Sequence, residues 1–202
     1  GSVASELAIR TFVSNVENAI TALQQPEEIF GKIPNILTEA VKAANASVYQ
    51  ESKDHDELTG MGTTLTAALI LQNKLFAVNV GDSRIYQINH TGIVQITHDH
   101  SYVQYLVDVG QITQEEAANS PNKNLITRAI GAEEAVEADI FEFEISDDSV
   151  FLLCSDGLTN YLPETDIQSI VLDRDHHVTL PERVQALLDG ANAGGGGDNI
   201  TA

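Results

Sequence analysis

Apolar residues at Val3, Leu7, Ile9, Val13, Val16, Ile20 and Leu23 recur at mostly three- and four-residue steps, which predicts an amphipathic helix from the start of the chain. A helix this early has no preceding strand to pack on, so the chain reads as one whose beginning is missing. After a break at Gln25-Pro26, a second helical pattern runs from Pro34 to Tyr49 through Ile36, Leu37, Val41 and Val48. The pattern changes at Gly60-Met61-Gly62. Thr63 to Leu71 and Lys74 to Val80 read as strands joined by a hairpin at Gln72-Asn73. Ile85 to Ile88 and Ile93 to Thr97 are strands flanking a turn at Asn89 to Gly92. Helices are predicted at Tyr102 to Val109, capped by Asp99 or Ser101, and after Thr113, which opens a capping box with Glu116. Ile140 to Ile145 alternates as a half-exposed strand, and Asp147-Asp148 turns it into the run Val150 to Cys154, so these two are expected to pair. Helices at Glu164 to Leu172 and Pro181 to Ala191 follow, and a strand is expected to begin after Gly194 to Gly197. Helices followed by several strands in succession predict an α+β fold with mainly antiparallel sheets.

The 202 residues, 43% of them hydrophobic, suit one domain spanning 1–202 with one sizeable core. Thirty acidic against ten basic side chains give a net charge of -20, which argues against nucleic acid or an anionic membrane as partner and raises the chance of a divalent cation site. Cys154 is the one cysteine and lies inside an apolar run, so it is expected to be a reduced packing residue. No apolar segment is long enough to span a bilayer and no signal pattern opens the chain, which points to a cytoplasmic protein.

Three aspartates share one local form, with a strand or glycine run before them and Gly, Ser or Asn after: Asp82 in VGDSR, Asp156 in CSDGLTN and Asp198 in GGGGDNIT. A carboxylate held at a strand end can be a hard-metal ligand, a general base or an Asx-type turn residue. Four glycines before Asp198 call for either a linker or a ligand to explain them. That run is no phosphate-cradling loop, because no Gly-Lys-Ser/Thr follows it. His98 and His100, and the pair His176-His177, lack metal-ligand spacing and read as structural or solvated. With one buried cysteine and no Gly-x-Ser-x-Gly elbow, an activated water is a better nucleophile than a side chain.

Five motifs stand in order along the chain: Gly60-Met61-Gly62-Thr63-Thr64, Val80 to Tyr86, Thr97 to Ser101, Ser155 to Thr159 and Gly197 to Thr201. Together they resemble the PPM or PP2C family of metal-dependent protein Ser/Thr phosphatases, in its compact bacterial branch. The resemblance implies a PP2C-like four-layer α/β-β/α sandwich of two mainly antiparallel sheets flanked by helices. It implies that Asp156 and Asp198 bind a centre of two Mn²⁺ or Mg²⁺ ions and that Asp82 helps hold a third ion with Asp156. It further implies a mobile flap at Asp99 to Gly131 that selects substrate, with Asn124 as a contact. The family's bridging aspartate, phosphate-binding arginine and acid histidine belong before Gly1, so the domain is expected to be N-terminally incomplete. The expected partners are phosphorylated proteins and a Ser/Thr kinase, the expected state a monomer. The competing reading is a non-catalytic PPM-like regulatory or binding module with an incomplete metal site.

Overall fold

Residues 2–23, 26–173 and 178–202 are described by the structure, a computed structural model. Gln25, where a break between helices is expected, and His176-His177 lie outside them. The first period forms α1 (Ser2–Thr21). The second helix, α2, spans Pro26–Asp54 and encloses Pro34 instead of starting there. Proline inside a helix leaves a carbonyl without its N–H partner and crowds the preceding turn. Burial of Ile33, Leu37, Ala40, Val41, Ala44 and Val48 along α2 carries the helix through that defect.

A short 3₁₀ turn (Asp56–Leu58) leads into two three-stranded sheets. In the first, β1 (Leu65–Leu71), β2 (Lys74–Val80) and β5 (Asp139–Glu144) lie antiparallel in the order β1-β2-β5. The expected hairpin forms, with Leu71 opposite Lys74 and Gln72 in the left-handed region at φ 53°. In the second, β3 (Arg84–Asn89), β4 (Gly92–Gln95) and β6 (Val150–Cys154) lie antiparallel in the order β4-β3-β6.

The expected pairing of β5 with β6 does not occur; each joins a different sheet. Their apolar residues meet face to face, with Phe141 and Phe143 packing with Phe151 and Leu153 around Leu75, Ala77, Ile85 and Ile96. Alternation along a strand tells which residues share a face, and two strands can satisfy it either edge to edge or face to face.

The central strands are apolar on both sides because each has two cores to fill. On β2, Leu75 and Ala77 enter the layer between the sheets while Phe76, Val78 and Val80 enter the core under α1 and α2. On β3 and β6, Ile85, Phe151 and Leu153 face the first sheet, while Tyr86, Ile88, Leu152 and Cys154 face α6 (Glu164–Val171) and α7 (Leu180–Ala193). The result is four layers: α1 and α2, two antiparallel sheets, then α6 and α7. Cys154 is buried as expected.

Between β4 and β5 lie α3 (Tyr102–Asp108) and α4 (Gln114–Ala118). Ser101 caps α3 by accepting from Gln104 N, and Thr113 and Glu116 form the predicted capping box of α4. The strand expected after the glycine run does not form among the described residues. Residues 198–202 lie instead beside the end of β6, joined by Ser155 N donating to Thr201 O at 3.0 Å.

Candidate active site

β2 belongs to the first sheet and β3 to the second, so Gly81-Asp82-Ser83 is a crossover between them. Gly81 has φ 110°, and a Cβ there would overlap the side chain of Thr64, so the residue before Asp82 must be glycine on both counts. The crossover is clamped from two directions. His100 N donates to Gly81 O at 2.9 Å, and Gly81 N donates to His100 Nδ1 at 3.1 Å. Asn79 Nδ2 also donates to Gly81 O at 3.1 Å.

Since Nδ1 of His100 accepts, its proton sits on Nε2, which faces Asp139 Oδ2 at 3.1 Å; Arg128 donates to the other oxygen of Asp139 at 3.0 Å. Burial lowers the pKa of His100, in keeping with a neutral ring. This histidine is structural, as the sequence indicates. His98 is solvated and pairs with Asp108 at 2.8 Å.

Asp156 lies at the end of β6, as its apolar run predicts, and opens a one-turn helix, α5 (Asp156–Thr159), after Ser155. Asn160, four residues on and thus above the same helical face, donates through Nδ2 to Asp156 Oδ2 at 3.2 Å. The same amide reaches Asn124 Oδ1 at 3.4 Å, which ties the segment holding Asn124 to Asp156. Sequence reading missed Asn160; its i+4 spacing from Asp156 is the signal that could have found it.

Asp198 is exposed and accepts from Asn199 N at 2.7 Å. The glycines before it answer neither to a linker nor to a ligand: Cβ atoms on Gly194 and Gly197 would overlap the backbone and the hydroxyl of Tyr161, around which the run is wrapped. Gly157 is required for the same reason, because a Cβ there would overlap Asn199 O. With Thr201 N donating to Ser155 Oγ at 3.1 Å, these close approaches bring Asp198 beside Asp156.

Asp82 feels the charge of Asp156, and Asp156 in turn that of Asp198. Burial first, and then the charges of Asp156 and Asp99, push the Asp82 carboxyl up to about 6. Burial and then Asp198 raise that of Asp156. Among the described residues no three His, Cys, Asp or Glu side chains stand close enough to form a ready metal cage. Burial is the larger cause of both rises and the neighbouring carboxylates add to it; a hard divalent cation with these oxygens as ligands would offset that added repulsion. Asp99 is not available for that role. It is buried and held by Arg84 Nε and Nη2, the shortest contact being 2.6 Å, and by Gln95 at 2.8 Å.

Residues 1–190 match the family model described as Protein phosphatase 2C. The chain belongs to the protein phosphatase 2C family. It is 40% identical over 201 residues to the "Serine/threonine phosphatase stp" of Listeria monocytogenes serotype 4b, covering all of this chain and 77% of that one. It is 35% identical over 202 residues to "Protein phosphatase PhpP" of Streptococcus pneumoniae serotype 2, of which it covers 78%. The solved Mycobacterium tuberculosis serine/threonine phosphatase PstP/Ppp superposes on 99% of this chain and 79% of its own with a TM-score of 0.85 at 35% identity. A structure of the PstP catalytic domain, described as in complex with 2 manganese ions, superposes with a TM-score of 0.81 at 34% identity, covering 99% of this chain and 78% of that one. The four-layer sandwich is therefore the family fold, and the enzyme is a protein phosphatase.

Proposed function

We propose that this protein phosphatase hydrolyses phosphoserine and phosphothreonine esters on proteins, with divalent cations held at Asp156 and Asp198 and a further ion shared by Asp156 and Asp82. What supports this reading is placement: the crossover between the sheets carries Asp82, β6 ends at Asp156, and the pairing of Ser155 with Thr201 holds the segment of Asp198 against that end, in a chain similar to a PstP catalytic domain described in complex with 2 manganese ions. A bound cation supplies Lewis-acid stabilisation of phosphate charge and a water acidic enough to attack phosphorus near neutral pH. In the net reaction the water oxygen bonds to phosphorus, the ester oxygen leaves, and that oxygen takes up a proton to give serine or threonine.

The chain's own residues set the geometry. His100 and Asn79 hold the crossover carrying Asp82. Asn160 donates to one oxygen of Asp156, and the backbone N–H groups of Asp156 and Gly157 also hydrogen-bond its carboxylate. The pairing of Ser155 with Thr201 holds Asp198 alongside. Residues 99–131 serve as the flap that meets substrate, with Asn124 at its inner edge through Asn160. The substrates are phosphorylated proteins, and a Ser/Thr kinase supplies them. A cytoplasmic setting agrees with the buried free thiol of Cys154 and with a chain in which, among the described residues, no helix is long and apolar enough to cross a membrane.

The test is phosphate release from a phosphothreonine peptide with and without Mn²⁺. Release should require the metal and fall by about a hundredfold or more in Asp156→Asn and Asp198→Asn, as expected when a ligand that stabilises transition-state charge is removed. Undiminished turnover in either variant would refute the ligand assignment. No release under any metal would favour the binding-module reading.

A further inference from the structure

Beside Asp156, on the flap side, lies a cavity of about 480 Å³. One wall is built from Val103 and Gln104 of α3 and Ala117 of α4, and the other from Thr159, Asn160 and Glu164. This is the volume range of sites that enclose a small ligand or a few residues of peptide. Its contact with the site is direct, since the Asn160 in its wall is bonded to Asp156.

Its lining carries two of the chain's ten basic residues, Arg84 and Lys123. Arg84, which also lines the cavity, is committed to Asp99, and Arg128 to Asp139. Lys42 and Lys74 are paired with Glu39 and Glu142. Lys123 lines the cavity, is half-buried, and makes no ion pair within 4.0 Å among the described residues. The opposing carboxylate, Glu164, lies in the first turn of α6, where the free N–H groups of a helix start favour a negative charge without any cation. Lys123 is also the residue before Asn124, so it stands one position from the contact joining flap to Asp156. The remaining polar walls are amides, Gln95, Gln104, Gln114 and Asn160, a set suited to hydrogen bonds with peptide groups.

We propose that this cavity receives the peptide flanking the phosphorylated residue and that Lys123 recognises an acidic side chain there, giving the enzyme a preference for phosphosites with Asp or Glu nearby. The proposal rests on the phosphatase reading above and adds a source of selectivity to it. A half-buried ammonium that meets a carboxylate only in the complex contributes about 1 kcal/mol, or about fivefold in kcat/KM. Salt weakens such a contact.

The experiment scans a phosphothreonine peptide with Glu, and in parallel Gln, at each of the three positions on either side, using the full chain with Mn²⁺. Expected is a Glu-over-Gln ratio of about five at one or two positions, shrinking in high salt. In Lys123→Met the ratio should collapse to about one, in Lys123→Arg it should survive, and in Lys123→Glu it should invert. Hydrolysis of p-nitrophenyl phosphate by the wild type, without any Glu preference, would overturn the subsite and leave the phosphatase reading standing. A preference that persists in Lys123→Met would likewise overturn it. Failure to hydrolyse any phosphate ester would remove both.

Discussion

Asp82 is where the site's electrostatic strain can be measured, and Asp82→Asn is the perturbation that relieves it. In the folded chain its carboxyl is pushed from an ordinary 3.8 up to about 6, by burial first and by Asp156 and Asp99 second. A folded pKa above the unfolded one means that the native state holds the proton more tightly. That contribution is fully present below about pH 3.8 and is lost as pH rises through about 6. The gap corresponds to about 3 kcal/mol at 1.36 kcal/mol per tenfold change in proton affinity, an upper bound because solvent still reaches the group. Without metal at about pH 7.5, the ionised Asp82 therefore destabilises the fold, and a neutral asparagine of the same shape removes the cost. At about pH 5 the wild-type group is mostly protonated when folded, and the advantage of the variant falls to about half. For a chain of this length each 1 kcal/mol moves Tm by about 2–4 °C, so the variant should melt several degrees higher in chelator at the higher pH. Thermal unfolding followed by circular dichroism in EDTA at both pH values reads this directly. Saturating Mn²⁺ should reverse the order, because it stabilises the chain that keeps the ligand. A variant no more stable than wild type in EDTA, or one whose advantage is the same at both pH values, would refute the reasoning.

Two further outcomes follow from close contacts. Gly157→Ala places a methyl group on Asn199 O and should displace residues 198–201, losing the two bonds between Ser155 and Thr201, each worth about 1 kcal/mol. The Mn²⁺ concentration for half-maximal phosphatase activity should rise severalfold while the melting temperature drops only a few degrees; an unchanged metal requirement would show that Asp198 is held by something else. Arg84→Leu strips the cation from Asp99, whose side chain is 8% exposed, and should cost about 3–5 kcal/mol, read as a lower urea midpoint. A loss below about 1 kcal/mol would mean that the pair contributes little to folding.

Local grammar was legible in the sequence. The caps at Ser101 and Thr113, the Gln72-Asn73 turn and the buried strand ending at Asp156 all act within a few residues and appear where their chemistry puts them. The ordered motifs carried the family and the fold, because five short matches in sequence constrain far more than hydropathy does. Strand partnership was not legible. Phe141, Phe143, Phe151 and Leu153 have the alternation of a hairpin, and only the presence of a second sheet decides that they meet across a layer. The persistence of α2 through Pro34 was equally hidden, since it depends on packing supplied by α1 and the first sheet. The glycine run was misjudged because its steric partner, Tyr161, lies more than thirty residues earlier in the chain. Asn160 went unnoticed because its i+4 spacing from Asp156 counts only where Asp156 opens a helix, and α5 was not foreseen.

The crossover at Gly81-Asp82-Ser83 has a mechanical consequence. Asp82 hangs on the link between the sheets, whereas Asp156 ends a strand of the second sheet alone. Their separation is set by how far one sheet has slid over the other, and Leu75, Ala77, Ile85, Phe151 and Leu153 are the teeth that fix that offset. A change of one methylene among those teeth shifts two packed layers as bodies, since close-packed interiors transmit strain and do not absorb it. If Asp82 and Asp156 share a cation as proposed, its affinity would be tunable from residues that touch neither ligand nor substrate, by shear between sheets.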